Sequence, residues 1–171
     1  VGVIDGHYFS IGGKVTGRAN YRSGAHEWRN TLTLLETFSK TPVLSSFLKA
    51  SDQLLFESIY LWSFDSWWGA FAQFNAGTSI FSGHDVRAAL VTYNIADVNG
   101  NVTTQVSDSL KLSDPFLPFS LRQLIGLFAR PFQEQVFTWE IRTALGARQT
   151  FADGQRIVAS QAGTSVNVNT L

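Results

Sequence analysis

The stretch HYFSIGGKVTGRANYRS, residues 7–23, decides the fold once it is split by parity. Odd positions read His7, Phe9, Ile11, Gly13, Val15, Gly17, Ala19 and Tyr21; even positions read Tyr8, Ser10, Gly12, Lys14, Thr16, Arg18, Asn20 and Arg22. One face is apolar with an aromatic near each end, and the other is polar and cationic. Side chains alternate across a β-strand with a period of two, so the segment reads as a long strand between two unlike environments.

The same alternation recurs along the chain. In HEWRNTLTLLETFSKT the even face carries Trp28, Asn30, Leu32, Leu34, Glu36 and Phe38, and the odd face Arg29, Thr31, Thr33, Leu35, Thr37 and Ser39. KASDQLLFESIYLWS sets Leu54, Phe56, Ser58, Tyr60 and Trp62 against Gln53, Leu55, Glu57, Ile59 and Leu61. WWGAFAQFNAGTSIF opposes Trp68, Ala70, Ala72 and Phe74 to Phe71, Gln73 and Asn75. A fifth run has Leu121, Gln123, Ile125 and Leu127 against Arg122, Leu124, Phe128 and Arg130. The sixth has Phe137, Trp139 and Ile141 against Glu140, Arg142 and Arg148. A weaker seventh closes residues 155–170.

Composition bounds the alternatives. At 171 residues the chain is read as one domain, 1–171. Charged residues make up only 15%, and 13 basic residues balance 13 acidic ones, so the electrostatic footprint of a nucleic-acid binder is missing. Cysteine is absent, which excludes disulfide scaffolds and thiolate metal sites. The opening VGVIDG carries neither an initiator Met nor a signal peptide, so a mature or truncated piece is expected.

Geometry separates the two environments. Phe9 and Tyr21 are twelve residues apart, roughly 40 Å of strand at about 3.3 Å per residue. Tilted by about 40°, that spans roughly 30 Å, comparable with the apolar band about 25 Å tall between aromatic girdles of an outer-membrane barrel. Short connections (around SGAH, FDS and PFQE) alternate with longer ones, as in an up-and-down barrel. The expected fold is therefore an all-β, up-and-down antiparallel β-barrel, transmembrane, with about eight or more strands if complete. Its lipid-facing girdle would be Phe9, Tyr21, Trp28, Phe38, Trp62, Trp68, Phe137 and Trp139. Its lumen charges would be Lys14, Arg18, Glu57, Arg122, Glu140, Arg142 and Arg148. Glu36, Gln123 and Asn30 sit against this pattern on apolar faces. Residues 82–115 form a long rim loop or hairpin around Asn99-Gly100, a strong turn pair; two further wall strands are the other possibility.

EWRNTLTLLETFSKTP followed by KASDQLLFESIYL resembles an outer-membrane β-barrel family of unknown function from Gram-negative bacteria. The matching positions are Trp28, Asn30, Leu32 and Leu34, then Lys49, Ser51, Asp52, Leu54 and Ser58. Gly83 and Asp85 in SGHDV, and Gly126 and Pro131 in SLRQLIGLFARP, extend the likeness over most of residues 13–150. The resemblance implies fold and bacterial outer-membrane location, with no activity. The chain departs from it in its long 82–115 connection, and it ends in NVNTL without a terminal aromatic.

No catalytic constellation is expected. His7, His26 and His84 are scattered without metal-ligand spacing. Ser107, Asp108 and Ser109 near His84 and Asp85 lack a nucleophile elbow. GGKVTG lacks the phosphate-loop pattern. Lys49 with Asp52, and Glu57 with an inward arginine, are expected as structural ion pairs. Inward Leu55, Ile59, Leu61, Phe71, Leu124 and Phe128 argue for a filled barrel and against a wide porin. The expected role is non-enzymatic and cofactor-free: a structural, anchoring or partner-binding barrel in contact with outer-membrane lipid. Envelope partners would meet it through residues 82–115. The competing reading is a soluble β-sandwich or jelly roll, such as a capsid subunit or a carbohydrate-binding module.

Overall fold

A computed structural model describes residues 7–42, 47–134 and 136–171; the opening VGVIDG and part of the PVLSSF connection lie outside them. The chain is all-β, as its periodicity dictates. Ten strands follow one another: β1 (Phe9–Ser23), β2 (His26–Lys40), β3 (Leu48–Ser63), β4 (Trp68–Thr78), β5 (Gly83–Ala96), β6 (Val102–Ser113), β7 (Phe119–Gln133), β8 (Thr138–Phe151), β9 (Arg156–Ala162) and β10 (Ser165–Thr170). They form two sheets, of order β1-β2-β3-β4-β7-β8 and β6-β5-β10-β9.

The six-stranded sheet is antiparallel throughout. Its register keeps the faces read from sequence together: Val15 pairs with Leu34, Leu34 with Leu54, and Trp28 with both Tyr21 and Tyr60. The apolar faces thus merge into one continuous surface, because a one-residue slip would send every side chain to the opposite side. Opposite it, Ile59, Leu61, Phe71 and Phe128 form a buried cluster with Leu124 packed against it.

The six-stranded sheet is strongly curled. Glu27 on β2 lies 3.5 Å from Arg130 on β7, although three strand spacings, about 14 Å on a flat sheet, separate those strands. The face carrying Glu27, Arg130 and the buried cluster is therefore concave, and the apolar face is convex. Among the described residues β1 and β8 do not pair or touch, so the sheet is an open curled wall. Six strands enclose less space than the eight of the smallest outer-membrane barrels, and here Phe71, Phe128 and several arginines already occupy the concavity.

Residues 82–115 form the β5–β6 hairpin, turned at Asn99-Gly100 with Gly100 at φ 85°, and they leave the wall for the second sheet. The expected seventh strand splits at Gly163 into β9 and β10, and β10 pairs in parallel with β5. That split removes the odd strand count and leaves an even wall of six. The small sheet rolls until its outer strands β6 and β9 meet, and it encloses its own cluster of Val91, Tyr93, Ile95, Leu110, Val166 and Val168. Within it Asp85 accepts hydrogen bonds from Arg87 at 2.7 Å and Tyr93 at 3.1 Å. Burial, with that carboxylate alongside, pushes the Tyr93 hydroxyl above its usual range. Among strand pairs of the described residues, only β3 and β5 join the two sheets.

Among the wall's glycines, the one with least room for a side chain is Gly126, which pairs with Ala144 across β7–β8. A Cβ there would meet the Thr143 carbonyl and come within 2.7 Å of the Ala144 Cα. Gly126→Ala should destabilise the wall by about 1–3 kcal/mol through forced strand separation. Chemical denaturation of the folded protein, beside Gly13→Ala, whose Cβ meets nothing within 4 Å, measures the difference.

Candidate functional site

The concave face is built in two tiers. All three short turns, β1–β2, β3–β4 and β7–β8, lie at one rim, and the longer connections lie at the other. Nearer the short-turn rim, the apolar cluster carries a chain of alternating charges. Arg29 Nε donates to Glu27 Oε1 at 2.7 Å. Glu27 Oε2 lies 3.5 Å from Arg130 Nη2. Arg130 Nε donates to Glu140 Oε2 at 2.7 Å, and Arg142 Nε to Glu140 Oε1 at 2.6 Å. The guanidinium of Arg130 stacks 4.8 Å from the centre of the Phe128 ring, and that of Arg142 lies 5.4 Å from Phe71. Three cations and two carboxylates thus bridge β2, β7 and β8 across the concavity. Such a plug ties distant strands together and fills the space with paired charge.

Local sequence explains why Arg130 is central. The β7–β8 register shifts between Ala129 and Phe132, so Arg130 and Pro131 fall in a bulge. Proline cannot donate to the ladder and is tolerated there. The bulge aims Arg130 inward, where it is only 9% exposed.

The second tier lies toward the other rim. A cavity of about 550 Å³ is lined by Thr31, Glu57, Gln73, Asn75, Arg122 and Arg148, among others. Glu57 does not form the ion pair expected of it. Its Oε2 accepts from Gln73 Nε2 at 3.0 Å, and Asn75 stands between it and Arg122 in the cross-strand row. Lys49 and Asp52 do form theirs, at 2.7 Å.

Of the sequence-derived residues, the structure brings Glu140 and Arg142 into the plug, and Glu57, Arg122 and Arg148 around the cavity. Lys14 and Arg18 stand on the same face of β1, which has a free edge, and make no ion pair among the described residues. Phe9, Tyr21, Trp28, Trp62, Trp68, Phe137 and Trp139 are exposed. Phe38 is half-buried, tilted against Phe81 at 6.1 Å. Trp28, Trp62, Trp67, Trp68 and Trp139, the chain's five tryptophans, gather toward the short-turn rim. There His26 stacks between Tyr60 and Trp62.

Of the residues against the pattern, Asn30 finds a partner, whereas both carboxylate oxygens of Glu36 are buried without a hydrogen-bond partner. Glu36 pairs with Asp52 at the end of the convex face near the longer connections. The 80–81 backbone crosses over that carboxylate pair, with the Ile80 and Phe81 amides donating to Asp52 at 2.7 and 2.8 Å. Asn30 reaches the Ala19 carbonyl at 3.4 Å. The residues considered for a hydrolase do not converge: Ser107 bonds Ser109, and Asp85 bonds Arg87 and Tyr93. No group of three or more metal-ligating side chains occurs among the described residues. Sequence reasoning missed Glu27, which sits one residue before the aromatic that opens the alternating run.

A family described as "Protein of unknown function (DUF3078)" matches residues 7–84. The match covers β1 to β4 and the first residues of β5, less than half of the chain. It stops well short of the 13–150 span of the resemblance drawn from sequence and carries no location or activity. No curated protein and no solved structure matches the chain. No helix among the described residues is long and apolar enough to cross a membrane, which leaves strand-based crossing open.

Proposed function

We propose that β1 to β4, β7 and β8 form part of the wall of an outer-membrane β-barrel of a Gram-negative bacterium. Its role is structural, anchoring or partner-binding, and it is not an enzyme. One observation carries the reading: the apolar side chains of the wall lie uncovered on its convex face. Ile125 at mid-strand is 69% exposed and Leu145 82%, and Val15 and Leu32 on the far strands of the same face are exposed too, while the concave face holds the Glu27–Arg130–Glu140 plug. A water-soluble sheet buries its apolar face; a membrane wall turns it to lipid. Tryptophan and tyrosine at the ends of such a face suit the headgroup region.

Short turns mark the periplasmic side of outer-membrane barrels and long connections the extracellular side. On that rule the tryptophan-rich rim faces the periplasm, and the small sheet stands outside the cell. Its exposed Leu90, Val98, Val102 and Val106 are where an envelope partner would meet it. The reading requires the free edges of β1 and β8 to be paired by further strands, because lipid cannot satisfy their backbone groups. With six strands these edges run in opposite directions, the polarity that antiparallel closure needs. A soluble sandwich, whether capsid subunit or carbohydrate-binding module, would need another sheet over the convex face. The second sheet among the described residues encloses a cluster of its own.

Fractionation of cells producing the protein, followed by electrophoresis with and without boiling, tests the proposal. Recovery in the outer membrane with heat-dependent mobility is expected. A soluble protein with no mobility shift would overturn it.

A further inference from the structure

One cross-strand row of the concave face takes a single residue from each of the six strands: Arg18, Thr31, Glu57, Asn75, Arg122 and Arg148. Three guanidinium groups share this level with one carboxylate. Arg122 and Arg148 are register partners on β7 and β8, so two like charges stand directly opposite each other, an arrangement that destabilises a sheet. Among the described residues, no carboxylate lies within ion-pair distance of Arg18, Arg122 or Arg148. The carboxylate of Glu57 is held by Gln73.

The contrast with the plug below sharpens the point. On the same face, Arg29, Arg130 and Arg142 each have a glutamate. A sequence that supplies counter-charges for Arg29, Arg130 and Arg142 leaves Arg18, Arg122 and Arg148 without, around a cavity of about 550 Å³. That volume falls within the range typical of small-molecule sites. Thr31 and Thr33 add hydroxyl donors to its lining, while the Ser120 hydroxyl donates to the Gly77 carbonyl at 3.2 Å.

We propose that this tier is an oxyanion site: the concave face takes a phosphate- or carboxylate-bearing solute between Arg122 and Arg148, with the hydroxyls of Thr31 and Thr33 completing its shell. The planar guanidinium fork matches both anions in bidentate geometry, and the bound charge relieves the Arg122–Arg148 repulsion. Rings of arginine serve the same purpose in anion-selective pores. Glu57 sets the limit of the site, repelling any anion that strays toward β3. The inference rests on the concave face alone and does not depend on what the convex face touches.

Calorimetric titration of the folded protein with inorganic phosphate at low ionic strength tests it, with acetate as a second arm and chloride at matched ionic strength as the control. Saturable binding is expected, weakened roughly tenfold to a hundredfold in Arg148→Gln and in Arg122→Gln by the loss of a charge-assisted contact. Without ligand, Arg148→Gln should unfold at a denaturant concentration no lower than the parent protein, since a like-charge neighbour is removed. Stronger response to phosphate than to acetate would assign the solute class to phosphates, and the reverse to carboxylates. Equal phosphate binding by the parent and Arg148→Gln, full displacement by chloride, or no saturable binding would overturn the site. Saturable, arginine-dependent binding by a protein recovered in the soluble fraction would keep the site and sink the membrane-wall reading.

Discussion

Ile125→Arg should abolish recovery of the protein in the outer membrane and with it the heat-dependent mobility. Ile125 stands at the middle of β7, on the convex face, 69% exposed. At the midplane of a bilayer an arginine on the lipid face costs about 2–4 kcal/mol. On the surface of a water-soluble protein, a substitution at so exposed a position stays within about 0.5 kcal/mol. The two environments therefore predict opposite results from one change. Folding efficiency into lipid vesicles, read by the fraction that migrates in the fast unboiled form, gives the number. Unchanged folding would mean that this face meets water. Phe151→Arg, near the end of β8, should be tolerated better, because the cost falls toward the interface.

Arg130→Ala should cost about 3–5 kcal/mol, the usual consequence of removing one partner from a buried ion network. The loss is large because two glutamates then face each other without their shared cation. Arg130 links Glu27 on β2 to Glu140 on β8, and nothing else in the plug spans that distance. Denaturant unfolding in detergent measures the loss. The double substitution Arg130→Ala with Glu140→Gln should recover part of it, since one of the two facing carboxylates is removed. A cost under about 0.5 kcal/mol, as for a solvated surface pair, would show that the concavity is wet at this level.

The faces of the wall were legible because parity survives strand pairing. Val15, Leu34 and Leu54 fall on one side in sequence and stay there in the sheet. The filled concavity was legible too, from Ile59, Leu61, Phe71 and Phe128 on the polar parity. The second sheet was not. Its β5–β10 pairing joins residues some seventy positions apart in parallel, and no local alternation encodes a partner. The oxyanion row was half legible: Arg18, Glu57, Arg122 and Arg148 were placed on the inner face, but their common level depends on registers that parity leaves free. Glu27 escaped because it stands beside a turn, where regular alternation starts; Arg130 fell on the polar parity, but the bulge that aims it into the plug was not legible.

The parallel pairing of β5 with β10 also orders events in time. The wall hairpins β1–β2, β3–β4 and β7–β8 close over a few residues, so each can zip as soon as its two arms exist. The small sheet cannot. β10 lies inside that sheet, between β5 and β9, so β5 and β6 wait with a bare edge until residues 165–170 arrive. Long-range parallel pairing is slow for the same entropic reason. The small sheet is therefore the last part to set, and its completion reports that the strands before it have already been laid down.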